Sequence, residues 1–151
     1  MGVSLAGCVI LSAAPAFVKN LRASRLSEPM DRLGELASRA TARAAGEPVE
    51  TAYPASVPLT PSAVPRGELA DDPPGTWDHA TWRLLGFRLD VPHAYSYAFE
   101  SKNGPERSSF VATARGDLDG DGSTSTFVIT GEYPQNGAPT IGALSMHREV
   151  E

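Results

Sequence analysis

The sequence predicts an α+β fold in which a long N-terminal α-helix packs on a small antiparallel β-sheet. Two observations support this prediction. Residues 1–46 begin with an uncharged, mainly apolar run and continue with apolar side chains at helical spacing. Residues 87–130 contain short alternating runs of aromatic and β-branched side chains, separated by turn residues, which is typical of antiparallel strands.

The first 18 residues contain no charged side chain, and Lys19, Arg22 and Arg25 then arrive before any acid. A run of about 18 uncharged residues is at the lower limit for a helix that spans a bilayer. The basic residue that a secretory signal peptide needs near its start is not present. We therefore expect residues 1–18 to insert into a membrane or to pack against identical helices.

Residues 19–46 continue as an amphipathic helix. Its apolar stripe recurs at intervals of three or four residues and consists of Leu26, Met30, Leu33, Leu36, Ala40 and Ala44. The charged side chains fall mostly on the opposite face, which we expect to be solvated: Arg25, Glu28, Asp31, Arg32, Glu35, Arg39 and Arg43. Pro29 predicts a break or kink, and Gly46 and Pro48 predict the end of the helix.

Residues 47–75 form a proline-rich connecting loop that we expect to be ordered on the core. Asp71 and Asp72 precede Pro73 and Pro74 in this loop. Adjacent carboxylates point apart and acid–base catalysis needs fixed geometry. Solvated loop residues are therefore the better interpretation of this pair than a catalytic pair.

Residues 76–151 predict the sheet lobe. A short helical turn at 78–85, with Thr76 as its cap, leads into alternating segments at 87–91, 94–101, 110–115 and 124–130. A further edge strand is expected between Ile141 and Met146. Aromatic side chains at every second position predict the core face of this sheet.

One turn carries a metal-binding pattern. Asp117, Asp119 and Asp121 alternate and are followed by Gly122, so three carboxylates can converge on a hard cation. Ser123 offers a backbone carbonyl and Ser125 a hydroxyl or a bound water. The closing glutamate of a helix–loop–helix calcium loop is replaced by Val128, and the flanks are strand-like. The sequence thus predicts a strand-to-strand turn that holds calcium, with a plain Asp-Gly turn as the alternative.

Composition excludes several classes of function. The net charge of -5 and the lack of a basic cluster backed by aromatics argue against nucleic-acid binding. The single cysteine, Cys8, cannot form an internal disulfide. His79, His93 and His147 lack metal-ligand spacing and accompany no nucleophile motif, so we expect surface or capping histidines. The chain is therefore not expected to be an enzyme or to have a small-molecule substrate.

The order of these parts resembles a type IV pilin-like or pseudopilin protein, particularly a group from delta-type bacteria. The stretches that carry the resemblance are 13–19, 53–61, 77–82, 90–97 and 110–127. The family's basic leader and its Gly-Phe-Thr-Leu-x-Glu cleavage motif are not present in this sequence. Their absence indicates either a start upstream of Met1 or a form that is not processed normally.

The resemblance implies a structural subunit of a type IV pilus or of a type II secretion pseudopilus. The apolar helix of residues 1–18 would pack with other pilin-like subunits in a filament, where the family is methylated at its N-terminus, or anchor the chain in the inner membrane. The sheet lobe would face the periplasm or the exterior, with calcium stabilising its Asp-rich turn. The alternative is a secreted or periplasmic β-sheet binding module in which residues 1–18 are a degenerate signal segment.

Overall fold

The computed structural model describes residues 13–147, with side chains described from Arg25 onward. Two α-helices are present in this part, α1 (Ala13–Ala44) and α2 (Ala80–Leu85), together with a short 3₁₀ helix (Val49–Thr51). The strands are β1 (Val57–Thr60), β2 (Ser96–Lys102), β3 (Arg107–Gly116), β4 (Ser125–Pro134), β5 (Thr140–Ile141) and β6 (Ser145–His147).

All six described strands belong to one antiparallel sheet. Its order is β1-β2-β3-β4-β5, and β6 pairs with the same edge of β4 as β5 does, nearer the start of that strand. The register places Tyr97 opposite Ala114 and Ala114 opposite Phe127. These side chains and the next row of the same face, Phe99, Ala112 and Ile129, are buried. Alternation therefore selects the core face, as the sequence predicted.

The predicted fold class, a long helix packed on a small sheet, is wrong. The described chain is dominated by the six-stranded sheet, and the predicted helix covers it with only part of its length. The sheet is larger than expected because residues 57–60 join it as β1, although this proline-containing segment has no strand-like alternation. On the other side, the single expected edge strand is two strands, β5 and β6.

Helix α1 buries one section of its apolar stripe and exposes another. Leu33 and Leu36 have no exposed surface, and Ala40 and Ala44 are equally buried against the sheet. Leu26 and Met30, earlier on the stripe, are 40% and 45% exposed. The break predicted at Pro29 does not occur, because α1 runs through that residue and ends at Ala44. Residues 1–12 of the predicted apolar segment lie outside the described residues.

Helix α2 is fixed at both ends by neighbouring segments. His79, rather than the predicted Thr76, caps its start by accepting a hydrogen bond from the Thr81 amide at 3.2 Å. At its end the Arg39 guanidinium donates to the carbonyl oxygens of Leu85 and Gly86, so this arginine is not a free solvated charge. The following segment, 87–91, is not a strand, although Phe87 and Leu89 are buried as their alternation suggested.

Gly131 is a position where the sheet requires glycine. A Cβ there would lie 2.6 Å from Phe110 Cζ and closer still to Cε1, and that ring is held by stacking on Phe99 at 5.2 Å. We expect Gly131→Ala to destabilise the protein by about 1–3 kcal/mol through overpacking. Urea unfolding of the variant measures this loss.

Gly34→Ala is the matched control for that substitution. Gly34 lies inside α1, and an added Cβ would meet no atom within 4 Å. Alanine has the higher helix propensity, so we expect a gain of about 0.5–1 kcal/mol. Equal effects of the two glycine-to-alanine changes would contradict the packing of Phe110 over Gly131.

Candidate functional site

The Asp-rich turn joins β3 to β4, and Asp117 is its buried centre. The Asp117 carboxylate accepts the Gly120 amide on Oδ1 at 2.8 Å and the Gly122 amide on Oδ2 at 2.9 Å. Both glycines have positive φ, 77° and 95°, which other residues adopt with strain. The sequence Asp-x-x-Gly-x-Gly is thus explained by turn geometry around one carboxylate.

The other two acids of the turn are exposed and form local turns of their own. Asp119 Oδ1 accepts the Asp121 amide at 3.0 Å, and Asp121 Oδ1 accepts the Ser123 amide at 2.6 Å. Ser125 lies in the sheet as the first residue of β4, opposite Gly116. The structure therefore brings the three predicted aspartate ligands together, and Ser123 adjoins them through its amide.

Arg66 is a partner of this turn that sequence reasoning missed. Its Nε lies 3.3 Å from Asp117 Oδ2, and the Gly67 amide donates to the Asp117 carbonyl oxygen at 2.7 Å. The backbones of Gly67 and Gly120 pass so closely that a Cβ on either would contact the other at 3.6–3.7 Å. The proline-rich connector therefore holds the turn, through a residue 51 positions earlier in the chain.

The hydrogen bonds to Asp117 set its acidity. Burial alone would raise the pKa of this carboxyl, but the Gly122 amide, Arg66 and the Gly120 amide stabilise the ionised form and lower its pKa below the ordinary 3.8. A carboxyl whose pKa is lower in the folded than in the unfolded protein stabilises the fold at pH above the unfolded-state pKa. That stabilisation is lost as the pH falls through the folded-state pKa.

We expect acid to reveal this contribution. Below about pH 4 the urea midpoint of the native protein should fall more steeply than that of an Asp117→Asn variant, which has no such carboxyl to protonate. Asp119→Asn, at an exposed position of the same turn, is the control. Its urea midpoint should fall with pH as steeply as that of the native protein. Identical pH profiles for all three proteins would refute this assignment.

The three aspartates are close enough to share a cation. One ligand oxygen from each lies within 4.8 Å of the others. Calcium binds oxygens at about 2.3–2.6 Å, so two of its ligands are separated by up to about 5 Å. No hydrogen bond among the described residues engages Oδ2 of Asp119 or Asp121. Two carboxylate oxygens of the turn therefore remain outside its hydrogen bonds, while Arg66 places a positive charge at Asp117.

A second polar cluster contradicts the sequence interpretation of Asp72 as a solvated residue. The Asp72 side chain is 8% exposed, and its Oδ2 accepts the Trp77 indole N–H at 2.7 Å. The same oxygen lies 2.8 Å from His93 Nε2. His93 is itself 2% exposed rather than at the surface, and its backbone pairs with Ala70 in both directions.

The protons of this cluster follow from its acceptors. His93 Nδ1 lies 2.7 Å from the Tyr95 carbonyl oxygen, which only accepts, so Nδ1 carries a hydrogen. Nε2 lies 2.8 Å from the Asp72 carboxylate oxygen. Both ring nitrogens are thus engaged inside the protein, and His93 has neither nitrogen available for proton transfer to a substrate.

Glu28 also differs from the prediction of a solvated helix face. Its carboxylate accepts the Ala94 amide at 2.9 Å and the Tyr97 hydroxyl at 3.1 Å, which ties α1 to the start of β2. Burial and the Glu28 carboxylate raise the pKa of Tyr97. No hydropathy pattern distinguishes Glu28 from the solvated charges beside it, because the two groups that donate to its carboxylate come from another part of the chain.

Searches against protein-family models, curated proteins and solved structures found no match. The geometry of the described residues therefore carries the functional conclusions. Neither described helix is both long and apolar enough to cross a lipid bilayer.

Proposed function

We propose that this chain is a structural subunit of the pilin or pseudopilin kind that assembles through its N-terminal helix. The observation that carries this proposal is the divided apolar stripe of α1. The sheet buries Leu33 and Leu36 completely but leaves Leu26 and Met30 open. An exposed apolar pair continuing a buried stripe is a surface that another subunit can cover.

The sequence upstream extends the same apolar character. Residues 1–18 carry no charge, and Gly2, Ala6 and Gly7 permit close approach of a second helix. In this proposal residues 1–18 pack with other pilin-like subunits or are held in the inner membrane. The sheet lobe faces the periplasm or the exterior of the filament.

A structural role is also favoured by how the buried polar groups are used. His93, Asp72 and Glu28 each bond to groups of this chain, and these bonds fix connector, helix and sheet to one another. Catalysis instead needs a proton-transfer group within reach of a substrate. We propose no enzymatic activity for this chain.

Fractionation of cells that express the full chain tests this function. We expect the protein in the membrane pellet or in sheared filaments. A Leu26→Glu, Met30→Glu variant should lose most of its material from the sheared filaments, whereas Leu84→Glu should not. Leu84 is 53% exposed on α2, so it matches the variant in exposure but not in location.

The competing function is a secreted or periplasmic β-sheet binding module. It is favoured by a sheet face opposite the core on which Val111, Thr113 and Val128 remain partly exposed. A module of this kind would stay in the soluble fraction, and its distribution would not respond to charges at positions 26 and 30. That result would replace the subunit proposal.

We further propose that the Asp-rich turn takes calcium as a stabilising ion. Asp119 and Asp121 would supply the oxygens that remain outside the turn's hydrogen bonds. Extracellular calcium is abundant enough for weak sites of about 10⁻⁴–10⁻³ M to fill. Calcium should then raise the melting temperature relative to chelator.

An Asp119→Ala, Asp121→Ala variant is the control for the calcium proposal. It keeps Asp117 and its contacts to Arg66, so the strand connection is retained. Its melt should be the same with calcium and with chelator. If the native protein also shows no calcium-dependent shift, the turn is held by Arg66 and backbone amides alone.

A further inference from the structure

Two asparagine–glycine pairs follow strands of the sheet, and the structure holds their side chains differently. Asn103 and Gly104 come directly after β2. Asn136 and Gly137 come after β4, in the loop that leads to β5. Both asparagines are exposed. A glycine after asparagine has no side chain to shield its main-chain nitrogen from the asparagine carboxamide, so both pairs have the same local chemistry.

The Asn103 carboxamide is held at both of its ends. Its Oδ1 accepts the Tyr53 amide at 3.2 Å, and its Nδ2 donates to the Tyr53 carbonyl oxygen at 2.7 Å. Tyr53 is itself buried, and its ring packs against that of Phe110 at 5.0 Å. Rotation of the Asn103 side chain toward Gly104 therefore breaks two hydrogen bonds to a fixed part of the core.

The Asn136 carboxamide is not held in this way. No hydrogen bond among the described residues engages its side chain. Main-chain hydrogen bonds close the turn around it. The Gly137 amide donates to the Pro134 carbonyl oxygen at 3.2 Å, and the Gln135 amide donates to the Glu106 carbonyl oxygen at 2.9 Å. The side chain of Asn136 can therefore rotate without breaking a contact of the fold.

The glycine amides do not distinguish the two pairs. The Gly137 amide donates one hydrogen bond, to the Pro134 carbonyl oxygen at 3.2 Å. The Gly104 amide also donates one, to the Ser108 hydroxyl at 3.1 Å. Because freeing either nitrogen breaks one hydrogen bond, the contacts of the asparagine side chains are the remaining difference.

We propose that Asn136 is a site of spontaneous deamidation. The Gly137 main-chain nitrogen loses its proton to solvent and bonds to Cγ of Asn136, and the Cγ–Nδ2 bond breaks to release ammonia. Water then opens the resulting five-membered ring at either of its two carbonyl carbons. The product is an aspartyl residue or an isoaspartyl residue, whose main chain runs through Cγ. Either product adds a negative charge to the loop between β4 and β5.

Timed incubation of the full chain in mildly alkaline buffer, followed by peptide mapping with mass spectrometry, tests the proposal. The reaction is measured as the mass gain of an amide-to-acid conversion in the peptide that contains each asparagine. We expect Asn136 to convert about thirtyfold faster than Asn103, since two additional hydrogen bonds must break at Asn103. Equal rates at the two sites of the native protein would overturn the proposal.

Unfolded protein is the control for the role of the fold. In guanidinium chloride the contacts of Asn103 to Tyr53 are lost, and both asparagines should convert at comparable rates. If Asn136 kept its full advantage there, the residues that follow each pair, Pro105 and Ala138, would set the rates and the structural argument would fail.

An Asn136→Gln variant assigns the reaction to this side chain. Glutamine would have to close a six-membered ring, which forms much more slowly, so the peptide with position 136 should show no mass gain. Conversion of Asn103 should stay as slow as in the native protein. A mass gain that persists in the variant peptide would place the reaction at another residue and refute the assignment.

Discussion

Leu36→Ala is expected to lower the free energy of unfolding by about 2–5 kcal/mol, the usual cost of truncating a fully buried leucine. Leu36 has no exposed surface and lies in the cluster that joins α1 to the sheet. The substitution removes apolar contacts and leaves a cavity that the rigid aromatic core does not refill. Urea unfolding, followed by tryptophan fluorescence, measures the change.

Leu26→Ala is the matched control on the same helix. Leu26 belongs to the same sequence stripe, but it is 40% exposed in the described chain. We expect a change within about 0.5 kcal/mol, as for surface substitutions generally. Equal losses at both positions would mean that the stripe is buried along its whole length, and the subunit proposal would lose its main observation.

Asp72→Ala is expected to destabilise the fold by roughly 3 kcal/mol or more, because it leaves a buried histidine and a buried indole without their partner. Three segments meet at this carboxylate: the connector, the Trp77 loop and the residues that lead into β2. The loss should appear in chemical unfolding and as a changed Trp77 indole N–H resonance.

Asp71→Ala isolates the role of position 72. Asp71 is the adjacent acid, and its side chain is exposed and forms no ion pair among the described residues. Its replacement should change the stability by no more than about 0.5 kcal/mol. If Asp71→Ala proved as damaging as Asp72→Ala, the effect would come from the loop's overall charge and not from the buried contact.

Alternation predicted the central strands well because it is a local property. Core-facing side chains recur at alternate positions of each central strand. Four aromatic residues at such positions are buried on the predicted face: Tyr97, Phe99, Phe110 and Phe127. The same rule was wrong for 87–91. Phe87 and Leu89 are buried there by packing near α2 and Trp77 without any strand partner.

The fold class was wrong for a related reason. A strand such as β1 is defined by hydrogen bonds to β2, and its residues Val57 and Thr60 pair across a register irregularity. Nothing in residues 57–60 alone records that partner. Likewise, helical spacing placed Leu26 and Leu36 on one stripe but did not state where the covering sheet ends.

The Asp-rich turn separates most clearly what the sequence determines from what the tertiary structure decides. Its residue types alone indicated a tight turn with three converging carboxylates, since alternate acids and glycines act over a few residues. Other contacts depend on segments that lie 21–69 positions apart in the chain. They are the pairing of Arg66 with Asp117, the burial of Asp72 against His93 and the contact of Glu28 with β2. Sequence therefore determined the local geometry and the core-facing alternation. Tertiary structure decided which charges are buried and paired, because desolvation and partner choice depend on chain segments that meet only in the fold.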